Sequence, residues 1–191
     1  MKHIVLFASG SGSNAEKIAE YFTDVPNAEI SLIVSNNPKA GVIERARKLH
    51  IPVLLFDRTT FYDTDRITQL LLNQDIDLIV LAGFMWLMPT DLVRAFPNKI
   101  VNIHPALLPK FGGKGMYGHF VHEAVAAAGE TESGITIHYV NERYDEGQII
   151  FQATCAVSHT DTPDDIARKV QALEHAHYPR VVADILASIT K

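Results

Sequence analysis

Short, continuously apolar runs alternate along the chain with segments in which apolar residues recur every three or four positions. The apolar runs, at residues 4–8, 30–35, 52–56, 78–82 and 99–104, predict strands that are covered on both faces. The segments between them have the spacing of amphipathic helices. Strands that alternate with helices favour parallel crossover units and an open sheet. The sequence therefore predicts an α/β fold with a Rossmann-like parallel sheet and helices on both faces.

Residues that cap helices mark where several of these helices should begin. The sequence predicts helices over residues 15–22, 41–49, 90–96 and 119–128, one from Thr59 or Thr60 to Asn73, and a last one from Thr162 to about Ile189. Ser13 or Asn14 is the expected cap of the first helix, and Thr90 is that of the helix over residues 90–96. The last helix has a proline at its first position and two acids beside its positive end, and Pro179 is a place where it can bend.

Two more strand patterns follow the parallel units. Residues 134–140 alternate in strand fashion with branched or aromatic side chains, and residues 148–153 form a second run after the connection 141–147. These runs predict an antiparallel or mixed strand pair that extends the parallel sheet at its C-terminal side. No repeat, low-complexity tract or linker interrupts the chain. We therefore expect one domain over residues 1–191.

Composition and charge narrow the classes of function. With 191 residues, 47% of them hydrophobic and 20% charged, the chain is typical of a globular domain. The formal net charge of -5 gives no basic field for nucleic acid or an anionic membrane. Cys155 is the only cysteine, so no intramolecular disulfide can form, and we expect it to be a small buried residue. No signal segment precedes the first strand and no apolar run is long enough to span a membrane, which predicts a cytoplasmic protein.

Small residues separate the first strand from the first helix. The segment Ser9-Gly10-Ser11-Gly12-Ser13-Asn14 leaves free backbone N–H groups beside the positive end of a helix dipole. Such a loop predicts a cradle for a single phosphate, and the alternative is a tight turn that binds nothing. The third glycine of the dinucleotide fingerprint and the lysine of the nucleotide P-loop are missing, which disfavours a nucleotide.

The fifth predicted strand ends with two polar side chains on one face. Asn102 and His104 are two residues apart, so they point the same way just before Pro105 turns the chain out of the sheet. Asp145 lies in the connection 141–147, where a carboxylate can be a turn residue or can orient a histidine and raise its pKa. Placed together, the three groups suit an acyl transfer that needs no protein nucleophile. The alternative is a capped strand end with a surface histidine.

Other segments allow two readings each. The loop at residues 83–89 holds Phe84, Met85, Trp86 and Met88, which either pack as core or form a wall for a flat ligand. Lys114 can contact a phosphate or carboxylate. His119 and His122 lie one helical turn apart, which suits either a metal pair or a polar helix face. No third ligand stands at a convincing spacing, so we expect no metal site.

Five segments, in order along essentially the whole chain, resemble a known family. They are Gly10-Ser11-Gly12-Ser13-Asn14, Leu81-Ala82-Gly83-Phe84-Met85, Asn102-Ile103-His104-Pro105 with Leu107-Leu108-Pro109, Asp145-Glu146-Gly147, and Gln171-Ala172-Leu173-Glu174-His175. With them the sequence resembles the folate-dependent formyltransferases, which share Asn-x-His-Pro followed by Leu-Leu-Pro. The serine-glycine loop and the compact length resemble the purine-pathway branch, which acts on 5-phosphoribosylglycinamide.

The resemblance implies that 10-formyltetrahydrofolate is the co-substrate and that the substrate amine attacks its formyl carbon directly, in de novo purine biosynthesis. It implies catalytic roles for Asn102, His104 as an imidazolium, and Asp145, and a cis peptide bond at Leu108-Pro109. The implied substrate-binding residues are Gly10, Ser11, Gly12, Ser13, Asn14, Gln171 and Glu174. The implied folate-binding residues are Phe84, Met85, Trp86, Leu87, Met88, Asn102, Asn141, Glu142, Arg143, Tyr144 and Asp145.

Three readings remain open on the sequence. The catalytic core can serve phosphoribosylglycinamide, serve another phosphorylated amine, or belong to a ligand-binding module in which it is inert. Trp86 stands where the family commonly has an arginine, and neither Arg58 nor Arg66 aligns with the arginine that often reaches folate. The oligomeric state does not follow from the sequence.

Overall fold

A computed structural model describes residues 1–189 of the chain. The expected domain boundary at residue 191 lies outside the described residues. In chain order the elements are β1 (Lys2–Phe7), α1 (Ser13–Phe22), β2 (Ala28–Ser35), α2 (Val42–Lys48), β3 (Val53–Leu55), α3 (Arg58–Tyr62), α4 (Arg66–Asn73), β4 (Ile76–Leu81), α5 (Thr90–Ala95), β5 (Ile100–His104), α6 (His119–Ala127), β6 (Glu132–Tyr139), β7 (Ile149–Ala156) and α7 (Pro163–Ser188).

All seven of these strands form one sheet, in the order β3-β2-β1-β4-β5-β6-β7. The pairs from β3 to β5 are parallel, whereas β5 with β6 and β6 with β7 are antiparallel. The predicted α/β fold is confirmed, and the C-terminal pair is antiparallel. Strands β2 and β3 lie on one side of β1 and β4 lies on the other, so the strand order reverses between β1 and β4. Open α/β sheets bind ligands at such a switch point, beyond the carboxyl ends of the strands.

Two hydrophobic clusters cover the two faces of the sheet. Successive residues of β1 point to opposite faces, so Ile4 and Leu6 belong to the cluster under α1 and α7, while Val5 and Phe7 belong to the other one. All four side chains are fully buried. This burial on both faces explains why the parallel strands are continuous apolar runs rather than alternating ones.

Several predicted helix caps are wrong, and α1 and α5 begin without a side-chain cap. Gly12 rather than Ser13 or Asn14 precedes α1, and Pro89 rather than Thr90 precedes α5. Asp57 caps α3, since its carboxylate accepts a hydrogen bond from the Thr60 N–H at 2.7 Å.

The single helix predicted up to Asn73 is two helices, α3 and α4. The hydroxyl of Thr64 donates to the Thr60 carbonyl at 2.7 Å, which takes the acceptor that a continuing helix would use.

The predicted start of the last helix is confirmed. Thr162 and Asp165 form a reciprocal capping box, and α7 continues without interruption past the buried Pro179. This helix crosses the sheet and reaches the loop after β1. No helix within residues 1–189 has the length and hydropathy needed to cross a membrane.

Candidate active site

A cavity of about 460 Å³ lies at the carboxyl ends of β1, β4 and β5, where the strand order reverses. The segments that line it are far apart in the sequence. They are the loops after β1 and β4, the end of β5, the glycine-rich segment before α6, the loop before β7, and one face of α7. The sequence-predicted site residues that line it are Gly10, Ser11, Gly12, Ser13, Asn14, Phe84, Met85, Trp86, Leu87, Met88, Asn102, His104, Arg143, Tyr144, Asp145, Gln171 and Glu174.

The structure does not bring every predicted residue to the cavity. Asn141 and Glu142 are absent from its lining, and so is Lys114, although Gly113 and Gly115 on either side of it are present. The Asn141 side chain accepts a hydrogen bond from the Arg143 N–H at 2.9 Å, so it is used to shape the turn. Glu142 instead lies 3.9 Å from Arg94 Nε on the surface. The folate contacts of Asn141 and Glu142 stay a prediction.

Asn102, His104 and Asp145 meet at one end of the cavity. Asn102 and His104 project from the same face of β5, and Asp145 approaches them from the connection between β6 and β7. Asp145 Oδ1 lies 3.5 Å from Asn102 Nδ2, and Asp145 Oδ2 lies 3.5 Å from His104 Nδ1. Asp145 Oδ2 also accepts a hydrogen bond from the Gly113 N–H at 3.0 Å. Asp145 has a left-handed backbone, with φ of 55°, a strained conformation for a non-glycine residue that is common at functional sites.

The hydrogen bonds of His104 determine where its proton sits. Its Nε2 lies 2.8 Å from the Phe111 carbonyl oxygen, which can only accept, so Nε2 carries hydrogen and Nδ1 faces Asp145. Burial lowers the pKa of His104 below its usual value, and this effect outweighs the opposing ones of Asp145 and the Phe111 carbonyl. The expectation of a raised pKa is therefore wrong, because desolvation of the imidazolium was not visible in the sequence. Near neutral pH the ring is neutral and has its donor at Nε2.

Asp145 remains a carboxylate in this setting. Burial acts to raise its pKa, but the neighbouring His138 and His104 rings and the Gly113 N–H together hold the pKa below its usual value. The trio thus combines an ionised acceptor with two groups, Asn102 and His104, that carry N–H donors.

His138 is a residue that the sequence reasoning missed. It is buried on β6, with Nε2 at 3.3 Å from Asn102 Nδ2 and 3.5 Å from Asp145 Oδ1. Its Nδ1 donates to the Tyr139 carbonyl at 2.8 Å, which fixes the ring. The alternating pattern of residues 134–140 places His138 in a strand, but its partnership with Asn102 depends on the antiparallel register of β5 and β6.

The loop after β1 and the helix α7 contact each other across the cavity. Asn14 Nδ2 donates to Glu174 Oε2 at 2.9 Å, and Gln171 Nε2 donates to Ser13 Oγ at 3.4 Å. Burial raises the pKa of Glu174, although the hydrogen bond from Asn14 acts in the opposite direction. The two groups of residues that the resemblance assigns to one substrate are therefore neighbours in space.

The loop after β4 is both core and cavity wall. Met88 is 3% exposed and packs in the second hydrophobic cluster, whereas Met85 is 44% exposed at the cavity. The Trp86 ring packs with its centroid 5.8 Å from that of Tyr62, and the Arg58 guanidinium lies 4.9 Å from the centre of the Tyr62 ring. Both readings of this loop are thus realised, because Phe84, Trp86 and Met88 pack on the core and also line the cavity.

The two histidines of α6 lie in different surroundings. His119 is exposed and lies 3.3 Å from Glu123, whereas His122 is buried and its Nδ1 has no hydrogen-bond partner in the described part of the chain. Burial, with smaller effects of His119 and His104, lowers the pKa of His122 to about 4. Within residues 1–189 no group of three or more histidine, cysteine, aspartate or glutamate residues is placed to hold a metal ion.

Cys155 lies outside the cavity and is half-buried on β7. Burial raises the pKa of its thiol, which disfavours the thiolate form that a nucleophile requires. The cis peptide bond expected at Leu108-Pro109 is confirmed.

Comparison with known proteins agrees with this geometry. Residues 2–182 match the model of the formyl transferase family. The chain is 44% identical over 190 residues to the chloroplastic phosphoribosylglycinamide formyltransferase of Arabidopsis thaliana, covering 96% of this chain and 65% of that protein, so it spans slightly less than two thirds of that relative. It is 38% identical over 191 residues to phosphoribosylglycinamide formyltransferase of Bacillus subtilis, covering 97% of this chain and 95% of that one. The crystal structure of glycinamide ribonucleotide transformylase 1 from Symbiobacterium toebii superposes with a TM-score of 0.90 at 31% identity, covering 100% of this chain and 91% of that chain.

Proposed function

The chain belongs to the formyl transferase family, and we propose that it transfers the formyl group of 10-formyltetrahydrofolate to the amine of 5-phosphoribosylglycinamide in de novo purine biosynthesis. The observation that carries this proposal is the position of the Asn102, His104 and Asp145 trio, which lies in one cavity between a loop suited to phosphate and an apolar wall. An amine acceptor and a flat formyl donor can therefore reach the trio from opposite sides.

The cavity has the features that the two substrates require. Gly12 has φ of 77°, and within residues 1–189 no group accepts hydrogen bonds from the backbone N–H groups of residues 10–14, which leaves these donors for a phosphate. Glu174 and Gln171 lie next to this loop and would hold the glycinamide end. The loop Phe84–Met88 and residues Arg143–Asp145 would hold the pterin, for which Met85 and Trp86 offer apolar surface. The folate supplies an activated formyl carbon at the trio.

The trio would stabilise the charge that develops on the formyl oxygen. At neutral pH the His104 donor is the Nε2–H of a neutral ring, and it already binds an oxygen, the Phe111 carbonyl. We propose that the formyl oxygen replaces this carbonyl oxygen when the glycine-rich segment 112–118 moves. The Asn102 amide adds a second N–H donor, and such preorganised donors are worth more as negative charge builds up than before reaction.

Proton movement completes the reaction. The amine nitrogen forms a bond to the formyl carbon, the bond from that carbon to the folate nitrogen breaks, and one proton passes from the amine to the folate nitrogen. The Asp145 carboxylate, which its lowered pKa keeps ionised, would attract this proton and help to pass it on through water. No covalent intermediate with the enzyme is involved.

The partners and the cellular location of the protein follow from the same proposal. The expected partners are the two small molecules, and the net charge of -5 disfavours nucleic acid or an anionic membrane as a partner. We propose a cytoplasmic location and a single functional domain over the whole chain.

One assay separates the proposed function from its two alternatives. Purified protein is incubated with 10-formyltetrahydrofolate and 5-phosphoribosylglycinamide, and the formylated product is measured by mass. We expect turnover with this amine and much slower turnover with other phosphorylated amines. Preference for another phosphorylated amine would contradict the proposed substrate. Binding of both ligands without turnover would contradict the proposed activity.

A further inference from the structure

The loop after β1 is held from behind by α2 and by the segment that connects β2 to α2. Three successive carbonyls of the loop accept hydrogen bonds from this side: Ser9 from Asn37 Nδ2 at 3.3 Å, Gly10 from the Val42 N–H at 3.2 Å, and Ser11 from Arg45 Nε at 2.8 Å. The next carbonyl, that of Gly12, accepts from the Glu16 N–H at 2.9 Å and so begins the hydrogen bonding of α1.

These contacts determine where the N–H groups of the loop point. In a trans peptide the carbonyl of one residue and the N–H of the next point in opposite directions. Because the carbonyls of Ser9, Gly10 and Ser11 point towards α2 and the segment before it, the N–H groups of Gly10, Ser11 and Gly12 point away from them. Successive N–H groups that face one side form a concave site for an anion.

Arg45 is the charged member of this support. Its guanidinium donates through Nε to the Ser11 carbonyl and pairs through Nη1 with the Glu16 carboxylate, so it joins α2 to both the loop and α1. The approach is close: a Cβ placed on Gly12 would lie 2.5 Å from the Val42 Cβ. Arg45 lies behind the loop, so it acts on the N–H groups through the peptide that it holds.

We propose that Arg45 is a positioning residue for the phosphate of the substrate, an inference that rests on the proposed function of this loop. By holding the Ser11 carbonyl, Arg45 directs the Gly12 N–H towards the phosphate. Its charge is paired with Glu16 on the far side of the loop. Its contribution therefore depends on the geometry of the guanidinium, which donates to two acceptors at once, more than on the presence of a positive charge.

The test compares Arg45→Met and Arg45→Lys with Arg47→Met. Arg47 is a matched control because it lies on the same helix and is paired with Glu44, but its side chain is 76% exposed and, among residues 1–189, donates hydrogen bonds to Glu44 rather than to the loop. Two measurements are made on each protein: the dissociation constant for inorganic phosphate, by thermal shift, and the steady-state constants with phosphoribosylglycinamide and with its dephosphorylated riboside.

We expect Arg45→Met to weaken phosphate binding roughly tenfold, as the loss of a hydrogen bond from a charged donor predicts, and to raise KM for the phosphorylated substrate by a similar factor. The values of kcat, of KM for the folate and of kcat/KM for the riboside should stay within about twofold of wild type, because the lost hydrogen bond acts only on the phosphate. Arg45→Lys should recover little of the loss, and Arg47→Met should match wild type.

Each contrary result overturns the inference in its own way. Full recovery by Arg45→Lys would mean that charge rather than geometry matters. An equal loss with the riboside would mean a general structural role, and equal behaviour of Arg45→Met and Arg47→Met would mean no role. A wild-type protein that binds no phosphate also overturns it. If wild type binds phosphate but does not formylate the amine, the proposed function fails while the phosphate measurement still decides the role of Arg45.

Discussion

The two loops that border the cavity follow neighbouring strands, yet they are held in place by different forces. The loop after β1 is fixed mainly by hydrogen bonds to its carbonyls, whereas the loop after β4 packs mainly on aromatic rings. Two hydrogen bonds join the loops: the Ser9 N–H donates to the Gly83 carbonyl at 3.1 Å, and the Met85 N–H donates to Ser9 Oγ at 3.1 Å. Each contains a glycine with positive φ, 77° at Gly12 and 78° at Gly83. A Cβ on Gly12 would collide with Val42, whereas one on Gly83 would meet nothing within 4 Å. A loop that binds a charged group needs N–H groups that point in fixed directions. A loop that binds a flat apolar surface needs only a complementary surface, which tolerates small shifts of the backbone.

The two loops would bind the substrates, and the end of β5 between them would carry out the chemistry. Replacement of His104 by alanine is the strongest test of this separation of roles. We expect kcat to fall by a factor on the order of 10² to 10³, since one oxyanion donor is lost. The dissociation constants of both substrates should change little, as measured by calorimetry. Unchanged kcat in His104→Ala would mean that the trio is not catalytic.

Replacement of Gly12 or Gly83 by alanine tests the difference in the space around the two glycines. Gly12→Ala should raise KM for the phosphorylated amine by more than about tenfold, because the new Cβ must displace α2 as well as adopt a positive φ. Gly83→Ala should cost only the left-handed backbone strain, roughly 1 to 2 kcal/mol of unfolding free energy, with a smaller change in KM for the folate. Chemical denaturation measures the free energy of unfolding, and steady-state kinetics measure KM for the two substrates. Equal effects at the two positions would remove the contrast between the loops.

Tyr62 tests how far the loop after β4 also depends on hydrogen bonds. Its hydroxyl donates to the Leu87 carbonyl at 3.0 Å, and its ring packs beside Trp86. Tyr62→Phe keeps the ring and loses a bond worth about 0.5 to 1.5 kcal/mol, so KM for the folate should rise no more than about tenfold and KM for the amine should not change.

Fluorescence gives a second readout for Tyr62, because Trp86 is the only tryptophan and reports directly on its loop. Tyr21→Phe is the control, since Tyr21 is exposed on α1 and does not line the cavity. A rise in KM for the amine as large as that for the folate in Tyr62→Phe would show that the hydrogen bonds between the two loops make them respond as one unit.

The smallest expected effect is that of pH on His104. A folded-state pKa below the usual value of about 6.5 means that most His104 rings are neutral at pH 6.5, and the neutral fraction grows as pH rises. The His104 ring signals in NMR should titrate with a midpoint below 6.5, and kcat should not fall with His104 between pH 6.5 and 8. A tenfold fall per pH unit across that range would indicate a catalytic imidazolium instead.

The same pKa direction has a consequence for stability. Because the unfolded chain binds a proton on His104 at a higher pH than the folded chain does, stability is lost as pH falls below about 6.5. Asp145→Asn removes a charge that favours the imidazolium, so it should lower the midpoint of His104 further.

The sequence by itself determined the features that depend on neighbouring residues. Apolar runs placed the parallel strands, small residues marked the loop after β1, and Thr162 with Asp165 fixed the start of α7, because burial on both faces and helix capping are local properties. The spacing of Asn102 and His104 also put both on one face of β5.

Only the tertiary structure decided what depends on distant partners. The register of β5 with β6 placed His138 beside Asn102, and the packing of α2 brought Arg45 to the Ser11 carbonyl. Burial of His104 reversed the expected direction of its pKa shift. These outcomes depend on strand register and on the exclusion of water, and both arise from contacts between segments that the local pattern of residues does not encode.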